Sequence, residues 1–120
     1  MGYFYVVKTD GTVEKYKTGK KHLDLNDCYR AIGCEWVEMV NFKFGRKSYD
    51  MIVDEEGKLT NQPVNGIATM LYSNPYDCIC GNAVVTKTPA WSPFTDVQAI
   101  EFENRLFLDF GVNVIVKEEN

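Results

Sequence analysis

At 120 residues the chain makes one domain, 1–120, with room for a single modest core. Its composition, 45% apolar and 25% charged, excludes a disordered chain, and a net charge of −4 with a pI near 5.0 excludes a protein that grips a DNA or RNA polymer through a basic face. No apolar run reaches the roughly 18 residues that span a bilayer, and the N-terminus lacks a basic segment followed by an apolar one, so a soluble, non-secreted chain with no membrane partner is expected.

The elements follow in order. Tyr3 to Val7 and Val13 to Tyr16 are β-prone runs flanking Thr9-Asp10-Gly11, which predicts an antiparallel hairpin. Lys20-Lys21-His22 forms a basic loop. Asp24 or Asn26 then caps a short helix carrying Leu25, Cys28, Tyr29 and Ile32, which stops at Gly33. Glu35 to Phe42 alternates with apolar residues on both faces, the pattern of a central strand covered on each side. Phe44-Gly45-Arg46-Lys47 turns into a strand over Tyr49 to Val53, followed by an acidic turn at Asp54-Glu55-Glu56-Gly57. Asn65 to Tyr72 fits a capped helix, and Ile79 to Thr86 a strand interrupted at Gly81-Asn82. Thr88 to Phe94 is a loop with two prolines and two aromatic rings. From Thr95-Asp96 a helix runs to Gly111, with Ala99, Phe102, Leu106, Phe107 and Phe110 forming a stripe toward a core or a partner. Val112 to Val116 closes as a strand. The fold class is therefore α+β: an antiparallel sheet with two or three short helices, in a domain small enough that oligomerisation would usefully cover surface.

Seven Tyr, seven Phe and two Trp exceed what a small core needs, so some rings should face a ligand or another chain. Charge is uneven along the chain. Residues 1–47 carry nine Lys/Arg against six Asp/Glu, while residues 48–120 carry four against eleven. A phosphate-bearing ligand would find its cations mostly in the first half. The three arginines, Arg30, Arg46 and Arg105, are the natural bidentate phosphate contacts. Arg105 also has Glu101 and Asp109 at helical spacing, the pattern of a surface ion-pair ladder. Cys28, Cys34, Cys78 and Cys80 lack the two-residue gap of common zinc sites and read as buried thiols. The single histidine, His22, has no nucleophile motif beside it, and no phosphate-binding glycine motif occurs. These residues favour a binding or assembly role over an enzyme, with no metal and no cofactor.

Three segments carry a resemblance: Asp54-Glu55-Glu56-Gly57-Lys58-Leu59, then Asn65-x-x-Ala68-Thr69-x-Leu71-Tyr72, then Ile79-x-Gly81-Asn82-Ala83-Val84-Val85. Over roughly residues 35 to 110 the chain resembles a small phage-associated domain whose members include the phage Thoeris anti-defence sponges. That resemblance implies a protein working in the cytoplasm of the infected bacterial host. It would sequester, uncleaved, the glycocyclic ADP-ribose signal made by bacterial TIR immune enzymes, as a homodimer able to assemble as a trimer of dimers, with further sites for cyclic oligonucleotides. Such a ligand needs a base stacked, two phosphates neutralised and hydroxyls hydrogen-bonded. Phe94 and Arg105, with Trp91 as a substitute ring, are the nearest matches for stacking. Asn82 and Asn104 match base edges or hydroxyls, and Thr69 and Arg30 match phosphate. Two alternatives remain: a cyclic-nucleotide hydrolase with a metal at Asp54-Glu55-Glu56, and a blocker of a host protein.

Overall fold

A computed structural model describes residues 2–89 and 91–117. Strand β1 (Gly2–Val7) pairs antiparallel with β2 (Val13–Thr18), and Asp10 closes the hairpin loop by accepting from the Thr12 N–H at 3.0 Å. Helix α1 (Leu25–Ile32) starts at a capping box in which Asp24 accepts from the Asp27 N–H while the Asp27 carboxylate accepts from the Asp24 N–H; Gly33 ends it in the left-handed conformation. Strands β3 (Val37–Phe44) and β4 (Lys47–Asp54) are joined by Gly45 and Arg46, both at positive φ, as a two-residue hairpin requires. Helix α2 (Gly66–Tyr72), strand β5 (Ala83–Lys87), helix α3 (Asp96–Phe110) and the two-residue strand β6 (Ile115–Val116) complete the chain.

The sheet order is β3-β4-β5-β1-β2-β6, antiparallel throughout except where β6 joins β2 in parallel. This is an α+β domain with an open, mostly antiparallel six-stranded sheet and three helices. Strand β3 lies at the edge of the sheet, which corrects the expectation of a central strand there. Val40, Phe42 and Phe44 pack toward α2 and α3 and Val37 toward the α1 cluster, but Trp36 and Met39 stay at least half exposed, so the apolar residues over Glu35 to Phe42 are covered only in part. Among the described residues no helix is long and apolar enough to cross a membrane.

Alternation along the strands sends side chains to two faces. One face carries Tyr5, Val7, Val13, Phe42, Phe44, Tyr49, Met51 and Val85 and is covered by α2 and α3. Its centre is aromatic: Phe102 of α3 lies 4.9 Å from Tyr5, 5.2 Å from Tyr49 and 5.1 Å from Phe94, measured between ring centroids. Glu103 clamps α3 to the sheet, accepting from the Tyr5 hydroxyl at 2.6 Å and pairing with Lys15 at 2.7 Å. The other face carries Val6, Ile52 and Val84 under α1, where Leu23, Cys28 and Ile32 close a smaller cluster. Helix α1 crosses β4 and β5, leaving the β1–β2 part of this face without a helix above it.

Candidate functional site

On that open part of the sheet, Phe4 and Tyr16 are cross-strand partners, and their rings stack with centroids 5.4 Å apart and planes 15° from parallel. Their strand neighbours on the same face are Val6, Glu14 and Thr18. The basic loop and α1 rise beside them, contributing Lys20, Leu23, Asp27, Arg30 and Ala31. The result is a groove of about 440 Å³ with an aromatic floor, within the size range of small-molecule sites.

Three cations, Lys8, Lys20 and Arg30, line the groove against two carboxylates, Glu14 and Asp27. Asp27 organises one rim. It accepts from the Lys20 ammonium at 2.8 Å and from the Arg30 guanidinium at 3.0 Å, while its other bonds cap α1. The hydrogen bonds that the Lys20 ammonium donates to Asp27, and then to Asp24, hold it above its ordinary pKa. Glu14 organises the floor, accepting from the Tyr16 hydroxyl at 2.7 Å and lying 3.8 Å from Lys8 and 3.5 Å from Lys117. Burial, followed by the bond to Glu14, pushes the Tyr16 phenol up to about 12, so at neutral pH it is an uncharged ring that donates to Glu14. An aromatic floor with preset cations at its edge offers stacking to a planar ring and charge-assisted hydrogen bonds to an anion.

The residues predicted as ligand contacts do not converge. Arg30 lines this groove. Asn104 and Arg105 lie on α3 over the opposite sheet face, beside a second, shallower groove of about 230 Å³ with Phe44, Lys47, Glu101 and Leu108. There Arg105 donates to Asp109 at 2.9 Å, the intrahelical pair that its spacing suggested. Phe94 is a correction. It is fully buried, stacked on Tyr49 at 5.6 Å and edge-on to Tyr5 at 4.9 Å, and has no face to offer a ligand. Reciprocal backbone bonds between Tyr3 and Phe94, at 3.0 and 2.7 Å, swing this ring into the core. Trp91 is half-buried against the α1 cluster, and its carbonyl accepts from the N–H of Leu23, a groove residue. It therefore supports the groove wall from behind.

Thr69 and Asn82 are tied into the scaffold. The Thr69 hydroxyl accepts from the Ile79 N–H at 2.9 Å, and the Asn82 carbonyl oxygen accepts from the Thr9 N–H at 3.0 Å. Asn65, fully buried, joins the same junction. Its side-chain oxygen caps α2 through the Ala68 N–H at 3.1 Å, and its NH₂ donates to Val7 at 2.8 Å and Gly81 at 3.0 Å. The acidic segment is a turn in which Asp54 accepts from the Glu56 N–H at 2.9 Å, with Glu55 and Glu56 exposed. Gly57 is required there by close packing, since a Cβ on it would stand 2.5 Å from the Cys80 carbonyl oxygen. Among the described residues no group of three or more His, Cys, Asp or Glu comes together as a metal site. Cys78 and Cys80, partly buried, approach to 4.0 Å between sulfurs, whereas Cys28 is buried on the inner side of α1.

Phe4 and Tyr16 were not singled out from the sequence as ligand contacts, whereas Lys20 is one of the first-half cations to which the charge asymmetry pointed. A signal exists in the hairpin: the face that places Phe4 and Tyr16 together also carries Glu14, a carboxylate, which is rarely buried unless it is paired.

An open, mostly antiparallel sheet with an aromatic, cation-rimmed groove on one face and an aromatic core under the other defines a small α+β domain. The family model described as a domain of unknown function, DUF3846, matches residues 3–107, and the chain belongs to that family. No curated protein and no solved structure matches it.

Proposed function

We propose that the protein binds and sequesters a small phosphorylated nucleotide without cleaving it, and that the groove between the β1–β2 hairpin and α1 is the binding site. The observation that carries this reading is the stacked Phe4–Tyr16 pair framed by Lys8, Lys20 and Arg30. An adenine ring stacks on the aromatic floor, and the phosphates meet Lys20 and Arg30 by displacing part of their contact with Asp27. The acidic pI is compatible with an anionic ligand, because the local excess of cations and the desolvation of the stack decide affinity, not the net charge.

The resemblance to the Thoeris anti-defence sponges gives this reading its particular ligand: the glycocyclic ADP-ribose signal of bacterial TIR immune enzymes, captured in the cytoplasm of an infected host. A sponge needs high affinity, and a Kd of about 10 nM corresponds to about 11 kcal/mol. Arg30 is the residue shared between the resemblance and the groove. Cyclic oligonucleotide binding belongs to the same proposal as a second ligand class.

The test is calorimetric titration of the purified protein with the cyclic ADP-ribose isomer, followed by heat denaturation and chromatography of the released ligand. Stoichiometric binding and recovery of unaltered ligand support the reading. Recovery of a hydrolysed product makes the protein an enzyme, and absence of binding together with co-purification of a host protein makes it a protein blocker; either result overturns the proposal.

A further inference from the structure

Cys78 and Cys80 flank Ile79 on a segment that is fastened from both sides. The Asn65 N–H donates to the Ile79 carbonyl at 2.7 Å and the Gly81 N–H to the Pro63 carbonyl at 2.8 Å, so this stretch runs extended and antiparallel to residues 63–65. The Ile79 N–H donates to the Thr69 hydroxyl at 2.9 Å, and the Ile79 side chain is buried in the core. Residues two apart on an extended chain share a side. The two thiols accordingly turn together into a cleft of about 110 Å³ that they line with Glu38, Asp54, Glu55 and Lys58, their sulfurs 4.0 Å apart.

Two chemistries suit a close thiol pair, and distance separates them. A disulfide requires sulfurs about 2.0 Å apart and Cα atoms no more than about 6.8 Å apart. Two residues of extended chain already rise about 6.6 Å, so closing the bond would pull against the contacts that pin Ile79 and Gly81. A metal ion needs no such movement. With a metal–thiolate bond of roughly 2.3 Å, sulfurs 4.0 Å apart subtend an angle of about 120° at the ion, which is three-coordinate geometry.

We propose that Cys78 and Cys80 form a two-thiolate site for a soft monovalent cation of the copper(I) class, its third position open to the cleft. Thiolates select copper(I), which two or three of them satisfy. Structural zinc takes four ligands, and among the described residues no third His, Cys, Asp or Glu joins the pair as a metal site. The ion displaces both thiol protons, and two thiolates around one monovalent cation leave a single negative charge. The Lys58 ammonium, paired with Asp77, lines the same cleft and offsets that charge. Burial, then the contact with Cys78, raises the Cys80 thiol above its ordinary 9.0. The metal therefore displaces a proton that Cys80 holds at neutral pH, and retention tightens as pH rises. Val40 and Val53, which also line the cleft, belong to the sheet face under α2 and α3. The groove of β1, β2 and α1 is on the opposite face, so this inference stands independently of the nucleotide reading.

The probe is copper(I) itself, titrated without oxygen into the reduced full chain against the chromophoric chelator bicinchoninate. Wild type and Cys34→Ser are expected to retain one equivalent, with sulfur neighbours in the copper X-ray absorption spectrum. Cys78→Ser and Cys80→Ser, at partly exposed positions, should keep the wild-type circular dichroism. Each should weaken retention by more than the roughly 10–100-fold that loss of an outer partner of a metal ligand costs. Zinc(II), titrated against its own indicator, should be held more weakly than copper(I). No retained copper, retention unchanged in both single variants, loss on Cys34→Ser, or zinc held as tightly overturns the inference. So does a pair that oxidised glutathione converts to an internal disulfide, with a mass loss of two hydrogens, while the reduced protein holds no copper.

Discussion

Asn65→Ala removes three side-chain hydrogen bonds from a site with no solvent access. The side chain caps α2 through Ala68 and donates to the carbonyls of Val7 and Gly81, so it fastens the end of β1, the start of α2 and the chain entering β5 to one another. Losing an N-cap costs about 1 kcal/mol, and each buried carbonyl deprived of its donor costs about 1–2 kcal/mol. The expected loss is therefore about 3–5 kcal/mol, a large share of the roughly 5–15 kcal/mol that holds a small domain together. Asn65→Ser keeps an oxygen at the cap and should recover about 1 kcal/mol of that loss, while Asn65→Asp keeps the cap oxygen but loses both donors. Urea denaturation followed by fluorescence and circular dichroism measures the series. A cost below about 1 kcal/mol for Asn65→Ala would refute the reasoning, because the bonds would then be replaceable by water or by local rearrangement.

Other outcomes follow from single sites. The Thr86 hydroxyl is buried and finds no partner among the described residues, so Thr86→Val should stabilise the fold by about 1 kcal/mol in the same assay; destabilisation would show that the hydroxyl has one. Burial pushes the Cys28 thiol up to about 12 from its ordinary 9.0, and burial with the Glu103 bond raises the Tyr5 phenol above its ordinary 10.0. The unfolded chain thus loses these protons first. Their contribution is intact below about pH 9 and falls as pH climbs toward 12, by about 1.4 kcal/mol per pH unit for each group in its window. Denaturation at stepped alkaline pH should show a shallower decline for Cys28→Ala than for wild type, and parallel curves would contradict the assignment. Tyr16→Ala should weaken nucleotide binding about 10-fold with the fold retained, whereas Phe94→Ala should cost about 3–5 kcal/mol of stability. Calorimetry and thermal melts separate the two, and a well-folded Phe94→Ala protein that has lost its ligand would reverse the roles given to these rings.

Much of the fold was legible because local chemistry decides it. Asp24 and Gly33 bound α1, Thr95 and Gly111 bound α3, and Asp10-Gly11 turns the first hairpin, each through capping or turn bonds made within a few residues. The edge position of β3 was not legible, because alternation reports which side chains are apolar and not which strands or helices will cover them. Phe94 misled for a related reason. Its loop, rich in proline and aromatics, looks like an exposed binding segment, and only the long-range pairing with Tyr3 brings the ring under α3. The groove was half-visible: the charge asymmetry pointed to cations in the first half of the chain, and Arg30 and Lys20 are among them. Its floor depends on α1 lying over β4 and β5 and leaving β1 and β2 open, a tertiary choice that no local pattern encodes. The segments that carry the family resemblance, around Gly57, Asn65, Thr69, Gly81 and Asn82, prove to hold the scaffold junction together. They speak to why the chain folds as it does more than to what it binds.

The central claim, capture of an intact signalling nucleotide in the β1–β2–α1 groove, is tested most directly by one nuclear magnetic resonance titration. Glycocyclic ADP-ribose is added to isotope-labelled protein while the ligand's phosphorus signals are followed over several hours. The account predicts shifts concentrated at Phe4, Tyr16, Lys20 and Arg30, with a single bound set of phosphorus signals that returns unchanged when the protein is denatured. Shifts confined to residues outside the groove, no shifts at all, or new phosphorus signals from a cleaved product would contradict it.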